Sequence, residues 1–480
     1  MVERVIMRVP ISLLSLLLLS MVRPAQAAPP GDRTQPRPAS VRAVDCRSDS
    51  PTAERIRREI SATALDEHAP NDSVKRLFLA GDAKEALGLW NQGGQPPVFC
   101  VNVDGLVRTP RPVLTDYLGA SSDEILTVGM FERMARRLGE FPIASRSSLR
   151  YDPIDSGTAM VTASVRERPV IPRRPMEWLP VGVRLAFQQE LQVKVSGPDG
   201  WGGVWTPSYR AARNRPRAML RLSAPAPGPL PGVLRVEGLV ERQSYQYGAL
   251  GAGVFEQRRE RLAAGLSDWM TGRLRWGTSV AYDRIGGVPY VAVEGSLNAR
   301  ALDDHVAMIV TAGRWEATGR GDSFGKEELV LTARSTRDER QPVLTTTAGV
   351  TVASDTSPLA VWPAASASQG RGALLRAHPL RDIGIITGDI FGRRLLFATT
   401  EYEHPVHTRF GALGVAGFVD AAHAYRRLGP PTSSDTQVDV GGGVRVGGFG
   451  EGRVRLDIAY GLRDGRVRVS ADYVLPWGNR

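Results

Sequence analysis

The chain has 480 residues, a formal charge of +11 and 42% hydrophobic residues, enough length for one small domain and one large one. Its basic residues are dispersed among acidic ones rather than gathered into a tract, which argues against nucleic acid as a partner. Beyond the N-terminal run, no segment reaches ~18 consecutive apolar residues, which excludes a helical membrane protein but not one that crosses with strands.

Arg4 and Arg8 precede an apolar run from Val9 to Val22, and Ala25-Gln26-Ala27 follows it. The run is too short to span a bilayer and Arg23-Pro24 interrupts it, so residues 1–27 are expected to be a signal peptide. Residues 28–40 are rich in Pro and polar residues and read as a disordered spacer. Export puts Cys46 and Cys100 where a disulfide can persist; the alternative is two isolated thiols.

Residues 41–95 carry helical patterns. One has Ile56, Ile60 and Ala64 among charged residues. A second runs from Ser73 to Trp90 and ends at Gly93-Gly94. These helices fit either over the next domain or inside a barrel, and both placements stay open. Residues 96–169 read as β-α-α-β-β. A strand from Val98 to Val103 closes in Asp104-Gly105, and helices follow over Pro110–Leu118 and Val128–Leu138. Strands at Ser147–Tyr151 and Thr158–Val165 flank the turn Asp155-Ser156-Gly157.

From residue 181 to 477 helical periodicity gives way to period-two alternation, beginning with a predicted strand over 183–196. Fourteen such stretches are visible, separated by Gly, Asp, Asn and Pro, and the 200–215 region has room for more. Several are about ten residues long, enough to cross a bilayer when tilted. A closed meander leaves no backbone polar group orphaned in lipid, and alternate arginines then face a polar lumen. Trp269, Trp276, Trp315, Tyr402, Tyr460, Tyr473 and Trp477 sit near predicted strand ends and suit an interfacial girdle. The expected fold is a transmembrane antiparallel β-barrel of about 14–16 strands behind a small βααββ domain.

The first of these patterns is similar to a POTRA domain of the Omp85 superfamily: a strand ending in DG, Phe131-Glu132-Arg133-Met134 with Leu138-Gly139, and a last strand ending at Glu167. The carboxy-terminal half resembles BamA/TamA-like surface-antigen barrels. The residues that carry this likeness are Leu375-Arg376-Ala377-His378, Glu401-Tyr402-Glu403 and Gly417-Phe418-Val419-Asp420, with the final pair of strands. It covers roughly residues 98–169 and 340–477. The resemblance implies 16 strands, a loop at 355–392 folded into the lumen, and a pairing of Arg376 with Glu401 and Asp420. By alternation alone Glu401 and Glu403 share a wall and either would serve. Where the family has glycine and an aromatic after the arginine, this chain has Ala377 and His378.

Six histidines include no HExxH and no close group with Cys, and neither a nucleophile elbow nor a phosphate loop is present. No catalysis, metal or cofactor is expected. The resemblance implies a protein of the cell outer membrane, with its N-terminal domain in the periplasm and lipids including lipopolysaccharide around the barrel. Its partners would be unfolded or exported polypeptides at the POTRA-like domain, captured along Gly139–Leu149, and periplasmic accessory proteins. It would insert or translocate polypeptides through a weak seam between first and last strands, with Gly441–Gly443 easing curvature. A two-partner secretion pore and a passive porin-like channel are the alternatives.

Overall fold

The fold comes from a computed structural model that describes Cys46, Pro70 and residues 72–474 other than 95, 121–123, 155–156, 198–199, 248–252, 339, 367–371, 388–389, 409–410, 429–435 and 450–451. The signal-peptide and spacer readings, the first helical pattern and Trp477 lie outside the described residues.

Two helices, α1 (Asp72–Leu79) and α2 (Ala83–Gly93), come first. Their Val74, Leu87 and Trp90 share one core with Val101, Met134 and Tyr151. The Tyr151 hydroxyl donates to the Ala83 carbonyl at 2.8 Å. Of the two placements left open by the sequence, these helices take the one over the small domain.

That domain follows as β1 (Val98–Asp104), α3 (Arg111–Leu118), α4 (Val128–Gly139), β2 (Ala144–Ile154) and β3 (Thr158–Glu167). The sheet order is β1-β3-β2, with β1 parallel and β2 antiparallel to β3. α4 starts where the Thr127 hydroxyl accepts the Met130 N–H at 3.1 Å. Met130, Met134 and Leu138, four apart, form its buried face.

A disulfide joins Cys46 to Cys100, and the Cys46 N–H donates to the Val101 carbonyl at 3.2 Å. The outer edge of β1 is therefore partly covered, whereas β2 ends the sheet on the other side. Glu167, at the end of β3, accepts the N–H groups of Arg108 (3.1 Å) and Thr109 (2.9 Å). Burial pushes its carboxyl up, but the N–H donors of Thr109 and Arg108 outweigh that and hold it below the usual carboxylate range. Glu167 thus straps the loop after β1 to the end of β3.

The DG turn is fixed by sterics. Gly105 has φ +84°, and a Cβ there would lie 2.2 Å from the Val165 carbonyl oxygen. Gly105→Ala is expected to destabilise this domain by roughly 1–3 kcal/mol, read as faster proteolysis of residues 98–167 with the barrel still folded. Equal proteolysis rates would contradict the reading.

After helix α5 (Pro175–Gln188) and two short strands, β4 (Glu190–Gln192) and β5 (Val195–Ser196), the wall begins. Nine strands lead up to the long loop: β6 (Val204–Arg210), β7 (Arg217–Pro225), β8 (Val233–Tyr247), β9 (Gly253–Trp269), β10 (Leu274–Ile285), β11 (Val288–Ala301), β12 (Val306–Ala317), β13 (Phe324–Arg334) and β14 (Val343–Ala353). The loop contributes four two-residue strands, β15 (Ala364–Ala365), β16 (Gly372–Ala373), β17 (Arg381–Asp382) and β18 (Ile385–Ile386). Five more close the barrel: β19 (Gly392–Thr408), β20 (Gly411–Arg427), β21 (Thr436–Phe449), β22 (Gly452–Gly461) and β23 (Val467–Val474).

Alternation along these strands runs the opposite way from a soluble barrel. On β10, Val280 (55% exposed) and Tyr282 (51%) point out, while Ala281 (3%) and Asp283 (0%) point in. Leu456, Ile458 and Tyr460 face out on β22 with Asp457 and Ala459 buried between them. An apolar outer band around a polar interior suits lipid outside and water or salt bridges inside.

Two sequence readings change. The predicted strand over 183–196 is instead the end of α5 followed by β4 and β5. Trp269 and Trp315 do not join an outer girdle. Both are buried, and their indole N–H groups donate to Glu140 and Asp283, because each stands on the inner side of the alternation. Tyr402 and Tyr460 do face outward.

Candidate functional site

The loop between β14 and β19 folds into the lumen. On one side Ile386 pairs with Tyr245 of β8, and Gln243 donates to the Gly384 carbonyl at 2.9 Å. Trp362, Phe391, Tyr245 and Phe255 pack there as an aromatic cluster. On the other side the loop tip Leu375-Arg376-Ala377-His378 is buried against β19 to β22.

Arg376 is fully enclosed. Its nitrogens lie 2.6 Å from Glu401 on β19, 3.2 Å from Asp420 on β20 and 3.3 Å from Asp457 on β22. Only the Asp457 contact is aligned as a hydrogen bond; those to Glu401 and Asp420 are close charge contacts with poor alignment. The guanidinium also stacks on Phe418, 3.6 Å from the ring centroid. In a low-dielectric interior such an arginine is held only because carboxylates and an aromatic face surround it.

The three residues that the sequence motif singled out are thus brought together, with Glu401 rather than Glu403 at the arginine. Glu403 pairs with Arg453 at 2.5 Å. The remaining partners lie on β21 and β22, where the sequence pattern gave them no pairing. Arg445 bridges Glu401 (2.8 Å) and Asp457 (2.6 Å), and Arg455 reaches Asp457 at 3.1 Å. Strand register creates this cluster: Gly443 on β21 sits opposite Asp457, two residues before Arg445. Gly441 admits the aromatic ring, since a Cβ there would come within 2.5 Å of the Phe418 Cζ. That glycine makes room, a role beyond curvature.

The departure at Ala377-His378 has its own solution. The Ala377 N–H donates to Asp439 at 2.5 Å, and Ala377 needs no left-handed backbone. His378 contacts Asp439 through Nδ1 at 2.7 Å and Asp464 through Nε2 at 3.0 Å. Polar anchoring to two carboxylates stands where the family pattern has glycine and an aromatic.

A second constellation joins α4 to the turns at one mouth of the barrel. Arg137 grips Asp268 with two parallel bonds of 2.9 and 2.5 Å and donates to the Leu118 carbonyl at 2.9 Å. Arg136 pairs with Asp304 and donates to the Gly272 carbonyl. Glu140 binds Arg275 and Trp269, both at the end of the wall. In the turn after β11, Leu302, Asp303 and Asp304 all hold positive φ (50°, 50° and 67°). Three consecutive non-glycine residues in that region are costly, and the turn presents Asp304 to Arg136.

Fold and site together define a closed, mainly antiparallel β-barrel, its lumen filled by an inward loop and its mouth held by a small βααββ domain. No family model matches the sequence, and no curated protein does. Among solved structures the chain is similar to CdiB from Escherichia coli, at 11% identity over 96% of each chain and a TM-score of 0.54. It is also similar to CdiB from Acinetobacter baumannii, at 9% identity over 96% of this chain and 95% of that one, with a TM-score of 0.50. A structure of BamA from Haemophilus ducreyi lacking POTRA domains 1-3 matches at 10% identity over 78% of this chain and 84% of that one, TM-score 0.47.

Proposed function

We propose that this protein sits in the outer membrane with its POTRA-like domain in the periplasm, and that it inserts or translocates client polypeptides without chemical catalysis. The observation that carries this reading is the closure of the wall. β23 meets β4, which is three residues long, whereas β19 and β20 pair over sixteen registered positions. A short joint in an otherwise continuous ladder is the weakest place to part, and its exposed backbone groups suit an added strand. The β2 edge of the small domain, which includes the Ala144–Leu149 part of the predicted capture region, offers a first docking place for an extended client.

The loop anchored by Arg376 keeps the lumen filled while the seam works, and lipopolysaccharide and other lipids surround the apolar band. Periplasmic accessory proteins would meet the small domain on its free faces. Depletion followed by quantitative outer-membrane proteomics tests the assignment. Selective loss of particular barrel or surface proteins is expected. Loss of a single secreted polypeptide from the medium, with the membrane unchanged, would favour an export pore. Unchanged protein content with altered solute uptake would reject both in favour of a channel.

A further inference from the structure

Among the described residues the wall closes on a mismatched joint. From β6 to β23 every neighbouring pair is antiparallel, and these are fourteen strands among the described residues. β23 therefore runs opposite to β6. β4 and β5 also pair antiparallel with β6, so β4 and β23 meet pointing the same way. One more strand between them, running the other way, would make every pair of the closed wall antiparallel. The segment that would supply it is the one leading into β4, and it is helix α5.

The residues of α5 are a strand sequence. Val181-Gly182-Val183-Arg184-Leu185-Ala186-Phe187-Gln188 alternates strictly, with large apolar residues at odd positions and small or polar ones at even positions. That is the pattern of a barrel strand with one side to lipid and one to the lumen. As a helix it closes no amphipathic face. Leu185 and Phe187 remain 52% and 56% exposed, Pro180 lies inside the helix, and Gln189 ends it at φ 54°. α5 packs against β4, β21 and β23. Its Arg184 and Phe187 line a cavity of about 240 Å³ together with Arg210 and Arg217 of the wall's inner face. The helix therefore lies inside the barrel, beside the place its sequence fits.

We infer that the closure of the barrel is a docking slot for one strand, and that its occupant is the chain's own residues 181–188, which exchange between the lumenal helix and the wall. In the wall, Val181, Val183, Leu185 and Phe187 face lipid, and Arg184 stays on the lumen side. Local pattern and adopted structure disagree over this one segment, the signature of an element with two packings. The inference rests on the geometry of the barrel and not on the assembly reading.

The test uses the full-length protein with spin labels at Gly182→Cys and Gln188→Cys, reconstituted in a bilayer. A Cβ at Gly182 meets nothing within 4 Å, and the native cysteines are tied in the Cys46–Cys100 disulfide. The labelled backbone positions are about 9 Å apart in a helix and about 20 Å apart in a strand. A population at the longer distance is expected. Val181→Ala with Val183→Ala removes β-branching and favours the helix, and should cut that population about five-fold. A single short distance in the bilayer overturns the inference, as does a long-distance population that the alanine pair leaves unchanged. Failure of client insertion or of the depletion test would leave either outcome intact.

Discussion

Arg376→Ala should free the lumenal loop, at a cost of about 3–5 kcal/mol to its folded position. The expected result is faster protease cleavage within 355–392 and larger conductance from the reconstituted barrel. The reason is charge balance in a closed space. Arg376 faces Glu401, Asp420 and Asp457 with no exposure of its own. Arg445 and Arg455 already serve Glu401, Asp457 and Asp472, so neither has a free fork to turn toward Asp420. Alanine leaves that carboxylate buried beside Asp439 without a cation and empties the face of Phe418. Arg376→Lys keeps the charge but not the planar fork or the stacking, and should fall between wild type and alanine. Unchanged cleavage and conductance in Arg376→Ala would mean that the loop is held by its aromatic end at Tyr245 and Phe391 alone.

Arg137→Ala is expected to release the small domain from the barrel mouth, again by about 3–5 kcal/mol, because Asp268 would be left buried and unpaired. Arg137 is 10% and Asp268 5% exposed at the side chain, and the two-bond geometry makes this the strongest contact of the interface. Asp268→Asn should release it less than Arg137→Ala does, since the amide still accepts one bond. Fluorescence transfer between labels on α4 and on the β11–β12 turn reports the docking. The neighbouring pair adds a pH dependence. Burial raises the Asp304 carboxyl, but the Arg136 hydrogen bond and charge, with Arg300 and Arg337, outweigh it and hold it below its ordinary value. A depressed folded pKa means stability that is complete above the unfolded value and lost as pH falls through the folded one. Docking should therefore hold from neutral pH to about pH 5 and weaken only below about pH 4. Release at pH 6 would contradict the assigned pairing.

The long strands were legible because alternation is written locally. The stretch 272–282 already shows Arg and Trp trading places, and it lies almost wholly within β10. Arg376, Glu401 and Asp420 stood out through a motif, but Asp457, Arg445 and Phe418 join them only through the registers of β20 to β22, which no single stretch encodes. The same holds for Arg136 and Arg137. Their partners are 168 and 131 residues away, and two arginines at a helix end look like any solvated terminus. The misreading of 183–196 has a different cause. Its alternation is real, and only residues 183–188 of it are helical, although Leu185 and Phe187 gain no burial from the helix. Where sequence and structure part in this way, the segment is the one to probe.

The claim that the barrel handles client polypeptides is tested most directly in vesicles. An unfolded outer-membrane barrel protein is added to liposomes with and without the purified full-length chain, and its acquisition of protease protection is followed. Faster protection in vesicles that contain the chain, slowed when β2 residues Ser147 and Leu149 are replaced by proline, is the predicted result. Identical protection in empty and loaded vesicles would contradict the account.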